Sequence, residues 1–269
     1  MSDRVSITIT NGVAHVQFTR PDKRNALDTK QFQAIVAAGE QMKTEPGVRV
    51  VVLSGEGASF CAGLDFSAMQ SLANATPDSD ETSAISIQAG RITHLGQQSA
   101  WVWQEVPVPV IAAVHGHALG GGIQIALGAD IRIVHPDTKL SVREVHWGLI
   151  PDMTGTQVLS SLVRPDVAKE LTMTARIFSG TEAYALGLAT KLSDTPLEDA
   201  MAMAKEIAAR SPHAVRGTKD LFNRIANAGA AEQFAAERQT IGTLIGGANQ
   251  VEAVLANFEN RSPRFVDVS

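Results

Sequence analysis

The sequence is poor in cysteine, in basic charge and in long apolar runs. A single cysteine among 269 residues excludes a disulfide framework and a thiolate-rich metal site. The formal charge of −5 argues against general binding to nucleic acid, which needs a basic surface. No apolar run approaches the roughly 20 residues that span a bilayer, and no apolar targeting core follows Met1. These absences predict a soluble, cytoplasmic protein with no membrane or nucleic-acid partner.

Stretches with the character of β-strands are abundant in the first half of the chain. Alternation of apolar and polar residues begins at Val5 and resumes after Asn11-Gly12, a dipeptide typical of hairpin turns. Residues 48–53 and 108–114 are almost wholly apolar, as in strands that helices cover on both faces of a sheet. Glycine-containing turns and helical patterns follow these strands, so we predict an α/β fold.

Helical signals dominate toward the carboxyl end. Thr195 followed by Pro196 predicts a capped helix start, and the periodicity beyond it is helical. We therefore predict an α/β core over residues 1–195 and a helical region over residues 196–269 that packs on the core and on neighbouring subunits. The polar and acidic residues 76–86 are predicted to form a mobile surface segment.

Two turns made of small residues follow buried strands. Residues 59–65 have the sequence Ser-Phe-Cys-Ala-Gly-Leu-Asp, and residues 115–122 have His-Gly-His-Ala-Leu-Gly-Gly-Gly. Free backbone N–H groups at a helix N-terminus favour an anion, and two such turns side by side can form an oxyanion hole. Close packing of a helix on a strand is the simpler explanation of a lone glycine triplet. The triplet matches neither a dinucleotide fingerprint nor a P-loop.

Taken in order, these motifs resemble those of the crotonase superfamily, which is the enoyl-CoA hydratase/isomerase family. The resemblance covers nearly the whole chain. The matching stretches are Phe60-Cys61-Ala62-Gly63-Leu64-Asp65, the run from Pro109 to Gly122, Glu144, and Gly148-Leu149-Ile150-Pro151.

The resemblance implies an α/β, crotonase-like spiral of stacked ββα units with a helical C-terminal trimerisation region. It implies a homo-oligomer, either a trimer or a dimer of trimers. The implied substrate is an acyl-CoA thioester, so coenzyme A enters as part of the substrate and no separate cofactor is expected. By motif, the thioester carbonyl would lie between the backbone N–H groups of Ala62 and Gly121, which would stabilise the developing oxyanion.

The acid/base residues depart from the hydratase pattern, for which the resemblance implies two glutamates. The first position is Gln124, whose amide cannot act as a base but can orient a water molecule or a substrate group. The second position is Glu144, which matches the single catalytic glutamate of the 3,2-enoyl-CoA isomerases. We therefore expect Glu144 to be the main acid/base residue.

Asp152 is a third candidate catalytic residue. It matches a catalytic aspartate of the dienoyl-CoA isomerases, which also use the Glu144 position. Their third acid falls where this sequence has Gln124, so the match is incomplete. From the residues alone, Asp152 could instead cap the helix that follows it.

Further substrate contacts are expected from residues close to the two turns. Lys23 and Arg24 match basic residues that meet the phosphates of coenzyme A in this family, and His146 is expected near the catalytic glutamate. The remaining predicted substrate-binding residues are Ala26, Gly63, Leu64, Asp65 and Gly120. His115 and His117 lack a third ligand at a suitable spacing, so no metal site is predicted.

Three functions follow from this reading of the sequence. Double-bond isomerisation through an enolate, with Glu144 moving the proton, is favoured because Gln124 replaces the first hydratase glutamate. Hydration of an enoyl-CoA by Glu144, with Gln124 orienting the water, is the alternative. The third is a protein that binds CoA thioesters without catalysis, and the presence of Glu144 argues against it.

Overall fold

The computed structural model describes residues 3–73, 86–87, 90–227 and 229–265. The strands are β1 (Val5–Thr10), β2 (Val13–Phe18), β3 (Val50–Gly55), β4 (Val110–Val114), β5 (His117–Leu119), β6 (Ile131–Val134), β7 (Lys139–Ser141), β8 (Phe178–Ser179) and β9 (Lys191–Leu192). The helices are α1 (Thr29–Thr44), α2 (Phe66–Ala73), α3 (Leu95–Glu105), α4 (Gly121–Gly128), α5 (Gly155–Leu162), α6 (Pro165–Thr174), α7 (Gly180–Leu186), α8 (Pro196–Ala208), α9 (Pro212–Ala226), α10 (Ala230–Leu244) and α11 (Ala248–Phe258). Most of residues 76–86, predicted to be mobile, lie outside the described residues.

A six-stranded sheet forms the centre of the fold, in the order β1-β2-β3-β4-β6-β9. The hairpin predicted at Asn11-Gly12 is confirmed, because β1 and β2 pair antiparallel with Thr10 opposite Val13. The other neighbouring strands of this sheet pair in parallel. β3 and β4 are buried along their whole length, as the apolar stretches of the sequence predicted.

A second layer of short pairings lies beside this sheet. The chain passes from β4 into β5 and from β6 into β7; β5 and β7 pair in parallel, and β8 completes the layer. Single bridges extend the layer to earlier turns of the chain, from Cys61 to Ala118 and from Leu27 to Leu64. Each unit therefore stacks on the one before it, which confirms the predicted spiral of ββα units.

Helices cover both faces of the six-stranded sheet. On one face α1, α3 and α4 enclose the largest apolar cluster, in which Phe60 and Trp103 are fully buried. On the other face α8 packs through Ala200, Ala204 and Ala208. Removal of this apolar surface from water is the main favourable contribution to folding. The predicted division at residue 195 stays a prediction.

Helix α8 begins at Pro196 as predicted, but the expected side-chain cap at Thr195 is wrong. Thr195 has φ −131° and ψ 69°, and its side chain makes no capping hydrogen bond. Proline at the first helical position fixes φ and needs no partner for an N–H, which favours the helix start without a cap. In the parts of the chain that the structure describes, no helix is long and apolar enough to cross a membrane.

Candidate active site

The two small-residue turns lie side by side. Cys61 and Ala118 form a parallel bridge, in which the Cys61 N–H donates to the His117 carbonyl at 2.9 Å. The Leu119 N–H in turn donates to the Cys61 carbonyl at 3.1 Å. The stacking of the ββα units thus brings the two turns together, as an oxyanion hole built from both of them requires.

Glycine is needed at Gly63 and Gly120 because the backbone there adopts conformations that other residues rarely take. Gly63 has φ +88°, and a β-carbon on it would lie 2.6 Å from the Leu119 carbonyl oxygen. Gly120 has φ 52° and ψ −122° and is the N-cap of α4. A side chain at either position would strain the backbone, and at Gly63 it would also force the two turns apart.

The backbone N–H groups of the turns differ in whether they are already hydrogen-bonded. The Ala62 N–H donates to the Arg24 carbonyl at 3.0 Å, so the prediction that Ala62 supplies an oxyanion donor is wrong. Leu64 and Gly121 have backbone N–H groups without an acceptor among the described residues. Gly121 is the first residue of α4, where N–H groups are free and the helix dipole favours negative charge. The donors available to a ligand are therefore those of Leu64 and Gly121.

Glu144 lies beside the second glycine turn. It begins the 3-10 turn Glu144–Trp147, and 9% of its surface is exposed. A β-carbon on Gly120 would lie 3.4 Å from Glu144 Oε1, which puts the carboxylate in contact with the turn. Oε1 accepts a hydrogen bond from Gln124 Nε2 at 2.6 Å, whereas Oε2 is buried without a partner in the described part of the chain. One carboxylate oxygen is therefore held by Gln124, and the other has no hydrogen bond within the described residues.

Gln124 connects Glu144 to the start of α5. Its Oε1 accepts hydrogen bonds from the Met153 and Gly155 N–H groups, both at 3.0 Å. An amide oxygen has two lone pairs, so these bonds use its acceptor capacity. Gln124 orients the Glu144 carboxylate, and its oxygen is not free to accept a proton from water.

Asp152 is not the cap of α5, so that interpretation of the sequence is wrong. The helix begins at Gly155, and its N-cap is Thr154, which has φ 68° and makes no side-chain capping bond. The Gly155 N–H is instead bonded to Gln124. Asp152 keeps 22% of its side chain exposed, and its Oδ2 lies 3.8 Å from His94 Nε2. Asp152 therefore remains a candidate catalytic residue.

Glu144 and Asp152 both have raised pKa values, because the fold buries Glu144 and covers most of Asp152. Burial raises the pKa of Glu144 to about 8, and the charge of Asp152 acts in the same direction. Burial also raises the pKa of Asp152 to about 7, with a further contribution from the charge of Glu237. Carboxyl groups that titrate near neutral pH can serve both as acids and as bases.

Two residues close to Asp152 were not predicted from the sequence. His94 caps α3, with Nδ1 accepting from the Gly96 and Gln97 N–H groups. Glu237 is buried and accepts hydrogen bonds from Gln97 Nε2 at 3.1 Å and from Thr156 Oγ1 at 2.5 Å. Both extend the polar network behind the candidate site.

Of these two residues, Glu237 leaves a signal in the sequence. It stands three residues after Phe234 and four before Ile241, and all three are buried on one face of α10. A carboxylate in such an apolar stripe indicates a buried polar partner. His94 leaves no comparable signal, because its role as a cap depends on where α3 begins.

The residues predicted to bind coenzyme A lie near the first turn. Lys23 and Arg24 are exposed and precede the buried Ala26. Asp65 is bonded within the chain, because Arg20 Nη1 lies 2.8 Å from its Oδ2 and Ser67 donates to its Oδ1. The Asp65 carboxylate therefore stabilises the turn through these bonds, and its oxygens are not free to bind a ligand.

The histidines near the turns have local partners. The ring of His146 is half-buried and packs edge-on against Trp147, with the centroids 5.3 Å apart. His115 and His117 form hydrogen bonds within the fold. Across the described ranges of the chain, no group of three or more His, Cys, Asp or Glu side chains is arranged to hold a metal ion.

Comparison with known proteins identifies relatives along the whole chain. A family model described as Enoyl-CoA hydratase/isomerase matches residues 8–268. An Arabidopsis thaliana protein named Delta(3,5)-Delta(2,4)-dienoyl-CoA isomerase, peroxisomal, is 32% identical over 95% of this chain and 93% of its own length. A Bacillus subtilis (strain 168) protein named probable enoyl-CoA hydratase is 31% identical over 97% of this chain and 98% of its own length.

Solved structures share the fold. The crystal structure of an enoyl-CoA hydratase/isomerase from Mycobacterium paratuberculosis superposes with a TM-score of 0.85 and covers 95% of this chain and 98% of that chain. The sequence identity is 22%, so this likeness concerns the fold alone.

Proposed function

We propose that this chain, which belongs to the enoyl-CoA hydratase/isomerase family, shifts a double bond in an enoyl- or dienoyl-CoA thioester. The observation that carries the proposal is the pair Glu144 and Asp152. Burial raises the pKa of each carboxyl group to a value near neutrality; the charge of Asp152 adds to the shift of Glu144, and the charge of Glu237 adds to that of Asp152. Gln124, which stands where a hydratase would have the first of its two glutamates, is hydrogen-bonded to Glu144.

The thioester carbonyl is assigned to the Leu64 and Gly121 N–H groups, which are free for a ligand on neighbouring turns. Removal of a proton from the acyl chain puts negative charge on this oxygen. A preorganised donor aimed at such a charge contributes about 3 kcal/mol to transition-state stabilisation. The buried carboxyl group of Glu144 lies at the same turn, beside Gly120.

The two carboxyl groups divide the proton transfers. We assign Asp152, which keeps an exposed edge, as the base that takes a proton from the carbon next to the carbonyl. The electron pair moves toward the carbonyl and forms the enolate. Glu144, whose pKa burial raises to about 8, then returns a proton at the far end of the enolate. The double bond has moved; Asp152 loses its proton to solvent through its exposed edge, and Glu144 takes up a proton in its place.

No separate cofactor is needed for this reaction, because coenzyme A is part of the substrate. Lys23 and Arg24 are exposed beside the first turn, and we assign them to its phosphates. The proposed cellular location is cytoplasmic, as predicted from the sequence; the Arabidopsis relative is named as peroxisomal.

We further propose that the chain assembles as a homo-oligomer, a trimer or a dimer of trimers. Helix α9 supports this, because Leu221, Phe222 and Ile225 are 65%, 70% and 79% exposed in the single chain. Three large apolar side chains on one helix are a surface that a second copy would cover.

A panel of substrates tests the proposed reaction against its alternatives. A 3,5-dienoyl-CoA, a 3-enoyl-CoA and a 2-enoyl-CoA of equal chain length are incubated with the protein, and the products are separated by chromatography. We expect isomerisation of one of the first two to exceed hydration of the third. Dominant hydration would assign the chain to the hydratases. Binding without any turnover would assign it to the CoA-thioester-binding proteins.

A further inference from the structure

His94 lies between the start of α3 and Asp152, and its two ring nitrogens face different partners. Nδ1 accepts from the backbone N–H groups of Gly96 and Gln97, at 3.1 and 3.4 Å. A ring nitrogen that accepts a hydrogen bond carries no proton, so the proton of the neutral ring is assigned to Nε2. The ring can therefore act only as a donor on the side that faces Asp152.

The Nε2–H group forms no hydrogen bond of good geometry within the described residues, although the side chain is only 3% exposed and the main chain of Asp152 lies close enough to act on the ring. Asp152 Oδ2 lies 3.8 Å away, so a shift of about 1 Å by either side chain would form a hydrogen bond. A buried donor without a partner costs free energy, and an ionised carboxylate is the acceptor that offsets this cost best.

The surrounding charges keep His94 neutral. Burial lowers the pKa of His94 to about 4, and the charge of Arg238 lowers it as well, while a weak hydrogen bond to the main chain of Asp152 acts in the opposite direction. The charge of Glu237 acts on Asp152, and the charge of Asp152 in turn acts on Glu144. A neutral ring with a fixed tautomer can orient the Asp152 carboxylate through a hydrogen bond, but it does not supply a proton in place of Asp152.

We propose that His94 is the positioning residue of Asp152: its fixed Nε2–H directs the Asp152 carboxylate into the site and stabilises its ionised form. The inference rests on the proposed function, because it requires Asp152 to be one of the two acid/base groups. The cap at α3 ties this donor to a helix that packs in the core, which keeps its direction constant.

Two substitutions separate positioning from capping. His94→Asn keeps an acceptor near Nδ1, and asparagine is among the best N-cap residues, but it has no donor that reaches Asp152. His94→Gln brings its amide nitrogen to the place of Nε2 and weakens the cap. If His94 positions Asp152, His94→Asn loses this role and His94→Gln keeps it. If His94 only caps α3, His94→Asn is tolerated and His94→Gln is the damaging variant.

The test is a ¹³C NMR titration of aspartate carboxyl carbons in the whole protein, in which Asp152→Asn identifies the resonance. We expect His94→Asn to raise the titration midpoint of Asp152 by about one pH unit, because it removes a donor to the ionised form. His94→Gln should leave this midpoint near that of the wild type, even where its thermal midpoint falls. An unchanged midpoint in His94→Asn, or equal shifts in both variants, overturns the proposal.

The titration needs no turnover, so it separates this inference from the proposed reaction. Where the substrate panel gives isomerisation, His94→Asn should lower kcat with KM retained and move the pH profile in the direction of the NMR midpoint. A shifted midpoint in a protein that isomerises no substrate would support the pairing of His94 with Asp152 and overturn the reaction alone.

Discussion

Gln124 Nε2 is hydrogen-bonded to Glu144 Oε1 at 2.6 Å, and Gln124 Oε1 is bonded to the backbone at Met153 and Gly155. An amide in this place fixes the carboxylate without competing for its proton. A second carboxylic acid at the same distance would share one proton with it. Gln124, which departs from the hydratase pattern, therefore holds the Glu144 carboxylate in place.

Gln124→Glu tests this relationship. The new carboxyl group would lie beside Glu144, and the pair would titrate as one coupled unit. We expect isomerisation to fall above neutral pH and hydration of a 2-enoyl-CoA to rise above its wild-type rate. Both rates are measured across the neutral range. Gln124→Met is the control, because it removes the amide without adding charge, and it should lower isomerisation without any gain in hydration. The absence of a gain in Gln124→Glu would contradict the account.

The raised pKa of Glu144 makes the stability of the protein depend on pH. Burial moves this pKa from 4.5 to about 8, so between these values the folded protein keeps a proton that the unfolded chain has lost. Unfolding then releases a proton, and the free energy of unfolding falls as the pH rises through this window.

Glu144→Gln should remove the part of this dependence that Glu144 contributes, since glutamine does not titrate; the part that comes from Asp152, whose pKa is also raised, remains. When the pH rises from the low to the high end of this window, the free energy of unfolding of the wild type should fall by on the order of 1–3 kcal/mol more than that of the variant. Urea denaturation at both ends measures the difference. Parallel pH curves for the two proteins would show that Glu144 titrates normally in the fold.

Gly63→Ala tests the close approach of the two turns. The β-carbon would lie 2.6 Å from the Leu119 carbonyl oxygen at φ +88°. We expect a loss of stability of about 1–3 kcal/mol and a loss of activity, because the turns must separate. Gly47→Ala is the matched control: Gly47 has φ +79°, with nothing within 4 Å of the added carbon. Activity lost equally in both variants would mean that strain in the backbone, and not the contact, is responsible.

The apolar face of α9 gives a prediction about assembly. Phe222→Ser should shift the protein to smaller species in sedimentation velocity, because it removes an apolar contact between copies. Met173→Ser is the control, since Met173 is 68% exposed and lies on α6. A wild-type protein that sediments as a monomer would contradict the proposed oligomer.

The strands and the glycine turns could be predicted from the sequence because their causes are local. Apolar alternation, an Asn-Gly turn and unbroken apolar stretches determine β1 to β4 with little help from tertiary contacts. Gln124 and Glu144 were identified as a pair through the resemblance, and the structure has them in direct contact.

The sequence predicts the site incorrectly where a residue distant in the chain accepts a hydrogen bond from a backbone N–H group of a motif. The Ala62 N–H is bonded to the Arg24 carbonyl, and the Gly155 N–H is bonded to Gln124. Neither partner is visible from the motif itself, so Ala62 was assigned as a donor and Asp152 as a possible cap. His94 was missed for the same reason, because Asp152 lies far along the chain.

The kinetics of three variants test most directly whether Glu144 and Asp152 together move protons in a double-bond isomerisation. Glu144→Gln, Asp152→Asn and the double variant are assayed on the best substrate of the panel, and thioester binding is measured alongside. We expect each single variant to lose about 10²–10⁴-fold in kcat with binding retained, and the double variant to fall little further. Isomerisation by either single variant with the kcat of the wild type would contradict this role for the two carboxyl groups.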